Sequence, residues 1–187
     1  MCTEPADESG VPAESGPPAS NPFTADDVAA ICREQGWLSG ESASAMAWCA
    51  TAAAMLGPRA ADRDALTARL ALVFRYDAAA ILAQPEHHGV LAREGAREVL
   101  RVLAAEILGG GPVDSDRLKQ IVAALKQQLP YRSREIFLPL RMALAGRAGD
   151  GGMERVILLL EAAEGAEGLS RVKSARERIL EFCAALD

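Results

Sequence analysis

Residues 129–146, "LPYRSREIFLPLRMALAG", decide the interpretation of this chain. Apolar side chains recur in this stretch at the spacing of an amphipathic helix, yet Pro139 lies inside the run. Because proline lacks an N–H and crowds the preceding turn, the helix either begins near Leu138 or bends at the proline. Gly146 is the expected stop. The stretch also carries three arginines and one glutamate: Arg132, Arg134, Arg141 and Glu135.

The basic side chains of the chain are concentrated around this stretch, although the formal net charge is -6. Residues 1–22 contain four acids and no base, whereas residues 117–147 contain one acid and seven bases. Those bases are Arg117, Lys119, Lys126, Arg132, Arg134, Arg141 and Arg147. An acidic total argues against non-specific nucleic-acid binding, but a local basic face is what RNA contact requires. The pattern leaves two interpretations open, a localised RNA-binding surface and an ordinary solvated face.

The composition favours helices over sheets. Half of the 187 residues are apolar but only 4% are aromatic, so the core must consist mainly of Ala, Leu, Val and Ile. Such side chains suit closely packed helices, and no stretch shows a convincing strand pattern. We predict an all-α protein, a two-lobed bundle of eight or nine helices. It comprises a disordered acidic Pro/Ser/Gly-rich tail over residues 1–22, a first helical lobe over 23–110 and a second over 111–187.

Local signals predict several helix ends. Thr24 with Asp27 three residues later is typical of a capping box, and a glycine-proline pair at 57–58 is a helix stop. Val90 to Ile107 shows one apolar stripe and is predicted as one helix. Ser170 is the expected N-cap of the last helix.

Catalytic and metal-binding signatures are absent from the sequence. The four cysteines lack a CxxC or other ligand spacing, and they are interpreted as free thiols in a reducing cytoplasm. The adjacent His87 and His88 lack the i, i+4 spacing of helical metal pairs and are interpreted as a solvated loop pair. No secretory leader and no membrane-length apolar run is apparent. We therefore predict a cytoplasmic, non-enzymatic protein without metal, cofactor or membrane contact.

The segment "FLPLRMALAG" at 137–146 resembles a helix of the anticodon-binding region of bacterial glutamyl-tRNA synthetase. That family carries "(Q/F)-x-P-L-R-x-A-L-T-G" there, with threonine where this chain has Ala145. Upstream, "GPRAADRDALTARLALVF" at 57–74 resembles the family's "PR-x-x-T-L-x-E…YLF" segment. Downstream, "RAGDGG", "MERVILLLEAAEG" and "SRVKSARERIL" match its loop, apolar helix and closing basic helix in order.

The resemblance implies a tRNA-binding module without the synthetase's chemistry. No segment resembles the family's ATP-binding "HIGH" and "KMSKS" signatures, so the expectation is a free-standing relative of the recognition end. It would recognise the anticodon arm, with a glutamate tRNA as the expected partner. It would act in trans with a separately encoded catalytic protein or in a pathway that uses glutamyl-tRNA.

The resemblance also assigns site residues. An arginine after the short proline contacts the last anticodon base in the family, and Arg59 occupies that position. The loop before the apolar helix supplies further contacts, which places Asp150, Gly151 and Met153 in the expected site. Where the family often has a Thr-Pro-like pair, this chain has Asp150 and Gly151. Phosphate contacts are expected from the basic stretch, through Arg132, Arg134, Arg141 and Arg147.

Other interpretations of these residues stand beside the RNA-binding one. Arg59 could cap a helix C-terminus or cover apolar surface with its stem, and Arg141 could form a buried ion pair. The acidic tail and the substituted loop fit a second function from another class. That alternative is a helical protein–protein adaptor that retains the fold but has lost RNA binding.

Overall fold

The computed structural model describes residues 21–148 and 152–186, which form ten α-helices and no strand. The predicted all-α class is confirmed. The helices are α1 Ala25–Glu34, α2 Ala43–Leu56, α3 Arg63–Phe74, α4 Ala78–Leu82, α5 Pro85–Leu91, α6 Ala96–Leu108, α7 Ser115–Gln128, α8 Ser133–Ala145, α9 Met153–Ala162 and α10 Ala175–Leu186. A single 3-10 turn, Gly57–Arg59, links α2 to α3. The tail was predicted over residues 1–22. Residues 1–20 of it lie outside the described part of the chain.

Side-chain caps explain why several helices begin where they do. At α1, the Thr24 N–H donates to Asp27 Oδ2 at 2.8 Å, while the Asp27 N–H donates to Thr24 Oγ1 at 3.3 Å, as the sequence predicts. Each cap satisfies a backbone N–H that has no partner inside the helix. Four further helices begin after a capping Ser or Asp: Ser42, Asp62, Asp77 and Asp114.

Helix α8 runs through its proline. It begins at Ser133, so the alternative of a start near Leu138 is wrong, and Pro139 is buried inside the helix. The first turn is stabilised because the Arg132 N–H donates to Glu135 Oε2 at 2.8 Å. Gly146 ends the helix in the left-handed region at φ 76°, as predicted.

The predicted single helix over residues 90–107 is two helices. The chain turns between α5 and α6 at Gly95, whose φ of 91° lies in the left-handed region. The Tyr131 ring lies so close to Gly95 that an added Cβ would stand 2.3 Å from it. The apolar stripe continues across the turn, because both helices pack against the same core. The stripe alone therefore did not reveal the break.

The two histidines are not a solvated loop pair. Both lie in α5, and the His87 side chain is buried. His87 Nδ1 lies 2.7 Å from the Ile81 carbonyl oxygen, and His88 Nε2 lies 3.1 Å from that of Leu82. These carbonyls belong to the last turn of α4 and have no i+4 N–H partner within the helix, although the Ile81 carbonyl also accepts from the Gln84 N–H at 3.2 Å. The pair therefore caps the C-terminus of α4.

Buried apolar side chains form two clusters. The first core contains side chains of α1, α2 and α3, and the second contains side chains of α4 to α8 and α10. Helix α9 contributes to both, with Leu159 in the first core and Ile157 in the second, and α8 also contributes Ala145 to the first core. The glycine run at 109–111 lies within the chain segment that builds the second core. The division into lobes at residues 110 and 111 stays a prediction.

The connector between α9 and α10 is fastened to the one between α1 and α2. The Ser39 N–H donates to the Gly168 carbonyl and the Ser170 N–H to the Trp37 carbonyl, each at 2.8 Å. Ser170 therefore does not cap the last helix: its hydroxyl donates to the Gly36 carbonyl. The backbone of Ser174 instead donates to Glu177 at the start of α10.

Candidate nucleic-acid interface

Arg59 lies against the start of α9, far from it in sequence. Pro58 fixes the backbone of the 3-10 turn, Asp62 caps α3 immediately afterwards, and the Arg59 side chain between them is exposed. A Cβ built on Gly152 would stand 3.1 Å from Arg59 Nη1. Gly152 itself has a φ of 103°, which disfavours any other residue. A glycine here leaves room for the guanidinium beside the helix.

The loop positions implied by the resemblance are the sequence neighbours of Gly152. Asp150 and Gly151 lie outside the described residues, as does the side chain of Met153. The described neighbours on either side are Ala148 and Gly152. Because Gly152 contacts Arg59, the loop ends beside that arginine. The structure thus brings Arg59 against Gly152, which is next in sequence to the expected loop residues.

Arg141 forms an ion pair that ties α8 to the first turn of α9. Its Nη2 donates to Glu154 Oε1 at 2.9 Å, and its side chain is 21% exposed. Glu154 Oε2 accepts a 3.2 Å hydrogen bond from the Gly152 N–H, so the carboxylate also holds the helix start. Of the two interpretations of Arg141, the structure therefore shows the ion pair, which is partly buried. Its contact with RNA stays a prediction.

Glu154 is held in its charged form. Burial raises the pKa of this carboxyl, but hydrogen bonds from its own backbone, Arg141 and Gly152, together with the charge of Arg141, outweigh burial and lower it. A carboxylate in the first turn also interacts favourably with the helix dipole. The sequence analysis missed Glu154. Its place one residue after the start of an apolar helix was the available signal.

The remaining predicted arginines lie at opposite ends of α8. Arg132 and Arg134 are exposed at its N-terminal end, and Arg147 is exposed just beyond Gly146. Thirteen helical residues separate the ends by about 20 Å. Arg147 lines a groove of about 580 Å³ together with residues of α4 and the segment before it, including Tyr76 and Asp77. The arginines predicted to bind phosphates are therefore spread along the length of α8.

The described residues offer neither a metal-binding cluster nor a membrane-spanning helix. No group of three or more His, Cys, Asp or Glu side chains within 21–148 and 152–186 is placed to hold a metal ion. In the same part of the chain, no helix has the length and apolar character needed to cross a membrane.

Comparison with known families identifies the fold. Residues 24–175 match the family model of the anticodon binding domain, which covers well over half of the 187 residues. The chain belongs to the anticodon binding domain family. Such a domain is itself non-catalytic, and membership implies tRNA as the partner. No curated protein and no solved structure matches the chain.

Proposed function

We propose that this domain recognises the anticodon arm of a glutamate tRNA, with Arg59 contacting a base of the anticodon. The contact between the exposed Arg59 and Gly152 supports the proposal, because Gly152 is next in sequence to the loop positions that the resemblance assigns to RNA recognition. Cytosine presents acceptor atoms at N3 and O2, whereas guanine presents N–H donors on its pairing edge. A guanidinium has only donors, so it favours cytosine over guanine.

The row of arginines on α8 would hold the phosphates of the same arm. Arg132 and Arg134 are exposed near the helix start, where they can reach a backbone that passes along α8. The Arg141–Glu154 pair would act beneath them by fixing α9 and therefore the loop before it. Base recognition and phosphate binding would then lie at separate places on one surface, as in other single-stranded RNA recognition.

Filter binding with transcripts of glutamate and glutamine tRNA tests the proposal. We expect wild type to prefer the glutamate species, and Arg59→Ala to lose about tenfold in affinity and most of that preference. The matched control is Arg101→Ala, an exposed arginine on α6. Failure of wild type to bind either transcript at low salt, or equal losses in the two variants, would overturn the assignment of Arg59.

We also propose that the domain acts in trans with a glutamate-activating catalytic protein or with a pathway that uses glutamyl-tRNA. The resemblance supports this, because the segments that resemble the synthetase family belong to its tRNA-recognition region. Addition of the purified domain to a catalytic domain of glutamyl-tRNA synthetase is expected to raise charging of glutamate tRNA. The Arg59→Ala variant is expected to raise it less. An unchanged charging rate argues against the catalytic partner.

One observation favours the adaptor alternative. Arg141, the arginine of the family motif, is neutralised by Glu154 and is mostly buried. Affinity capture before and after ribonuclease treatment separates the two functions. A tRNA-binding domain loses its partners on treatment, whereas an adaptor retains them.

A further inference from the structure

Phe137 is the one aromatic side chain of this protein that packs into neither core. The chain has eight aromatic residues, all within the described part, and the other seven belong to the first or second core cluster or pack directly against one. Phe137 lies on α8 and is partly exposed. A partly exposed aromatic ring outside both cores offers an apolar face against which a ligand can pack.

Cations surround this ring. The guanidinium of Arg141 lies 5.2 Å from the ring centroid, and Nζ of Lys126 on α7 lies 5.6 Å from it. Arg134 precedes Phe137 by three residues and is therefore its neighbour on the helix surface. Among the described residues, Lys126 forms no ion pair with a carboxylate, whereas Arg141 is held by Glu154. The ring thus has one fixed cation and one cation that can move.

A comparison of two contacts, lysine over the Phe137 ring and a nucleic-acid base stacked on it, indicates what the ring binds. An exposed lysine over a partly exposed ring is held by a factor of roughly five, and it can leave when a stronger partner arrives. Stacking of a nucleic-acid base on an aromatic ring strengthens binding by roughly five- to 150-fold. A nucleotide supplies both partners at once, because its base can occupy the ring face while its phosphate attracts the displaced ammonium. Single-stranded RNA is therefore the ligand that this arrangement favours.

We propose that Phe137 and Lys126 form a second RNA-binding point, at which Phe137 stacks against an unpaired base and Lys126 binds the adjoining phosphate. Arg141 would orient the ring from α8, and Arg134 would contact the phosphate backbone nearby. The proposal deepens the proposed function and rests on it for the identity of the RNA. The physical site itself requires only an unpaired base with its phosphate.

The site and the base contact of Arg59 would belong to one surface. Lys126 contacts Phe137, Phe137 contacts Arg141, and Arg141 is paired with Glu154. Glu154 in turn accepts from Gly152, which lies against Arg59. This unbroken series of contacts leads from α7 across α8 to the 3-10 turn. In this proposal, a strand of RNA that has one base at Arg59 would continue along these elements toward Phe137.

Fluorescence of a Phe137→Trp variant tests base stacking directly. The two native tryptophans, Trp37 and Trp48, are buried in the first core, so a partly exposed indole at position 137 reports on the site. We expect quenching on titration with glutamate tRNA and with short oligoadenylate, but not with heparin, a polyanion without bases. Leu180→Trp, on the exposed face of α10, is the matched control and is expected to change little.

Affinity measurements test the two side chains separately. Phe137→Leu retains an apolar side chain but removes the aromatic ring, and it is expected to weaken RNA binding roughly tenfold, whereas Phe137→Tyr retains affinity. Lys126→Ala is expected to reduce the slope of log affinity against log salt by about 0.7. The control is Lys119→Ala, because Lys119 on the same helix is already paired with Asp116 at 2.8 Å.

The outcomes separate this site from the proposed function. Quenching by oligoadenylate without binding of glutamate tRNA would support the stacking site and overturn the tRNA assignment. Normal tRNA binding with unchanged fluorescence of Phe137→Trp and unchanged affinity of Phe137→Leu would overturn the stacking site and leave Arg59 unaffected. Equal quenching by heparin and oligoadenylate would also overturn it, because it would show only an electrostatic effect.

Discussion

The guanidinium of Arg178 lies 4.5 Å from the centroid of the Tyr76 ring, fully buried beside the second core. Its Nη1 donates to the carbonyls of Leu144 at 2.8 Å and Leu72 at 3.0 Å, in the last turns of α8 and α3. Last-turn carbonyls have no helical N–H partner, so one side chain from α10 caps two helices. Burial lowers the pKa of Arg178 to about 10, which still leaves it charged at neutral pH.

Replacing Arg178 by Met is expected to lower the free energy of unfolding by at least about 3 kcal/mol, because several buried carbonyls lose their donor together. Urea unfolding followed by circular dichroism measures the change. Arg101→Met removes an exposed arginine from α6 and is expected to stay within about 0.5 kcal/mol of wild type. A similar small effect for Arg178→Met would contradict the capping role.

The stability of the domain is expected to fall in acid partly through Glu154. The folded state holds the pKa of this carboxyl below its ordinary value of 4.5. Its contribution is therefore fully present above pH 4.5 and is lost as the pH falls through the folded pKa. Unfolding free energies measured from neutral to acid pH are expected to decline less steeply for Glu154→Gln than for wild type. Identical pH profiles would be inconsistent with this role.

The pairing of Glu154 with Arg141 can be measured by a double-mutant cycle. Both side chains are partly exposed, so we expect a coupling energy of about 0.5–1 kcal/mol between Arg141→Gln and Glu154→Gln. The same variants are expected to weaken binding of tRNA, because the pair holds the start of α9 beside Arg59. Additive effects on stability would show that the two residues act independently.

Gly168 is expected to tolerate no side chain. Its φ is 89°, and a Cβ there would stand 2.8 Å from the backbone oxygen of Gly40. Gly168→Ala should lower the free energy of unfolding by about 2 kcal/mol or more, from the left-handed backbone and the collision together. Gly165→Ala is the matched control, since its φ is 75° and nothing lies within 4 Å of its Cβ position. Equal losses in urea unfolding would rule out the collision.

Salt dependence tests whether the N-terminal end of α8 binds phosphates. Each neutralised phosphate contributes about 0.7–0.9 to the slope of log affinity against log salt. We expect Arg132→Ala combined with Arg134→Ala to reduce the slope for tRNA by about one to two. Arg101→Ala serves as the control. A lower affinity with an unchanged slope would indicate a structural effect rather than lost phosphate contacts.

Several features of the fold and site were predictable because their signals are local. The capping box of Thr24 and Asp27 and the glycine stop at 146 depend on neighbouring residues, and both occur where expected. Arg59 was assigned from a short motif, and the structure places it against Gly152. The buried position of Arg178 was not predictable, because its partners lie in α3 and α8. Nor was the break at Gly95, since both helices share one apolar stripe.

The sequence by itself determined the helical class, many helix ends and the concentration of basic residues between 117 and 147. Those properties follow from propensity, side-chain caps and charge, which act over a few residues. Only the tertiary structure decided which environment each charged side chain occupies. Arg178, Arg141 and Arg59 are the same residue type, but one caps carbonyls, one pairs with Glu154, and one is exposed. The reason is that the burial of an arginine and its pairing with a partner depend on segments that are distant in sequence and meet only in the folded chain.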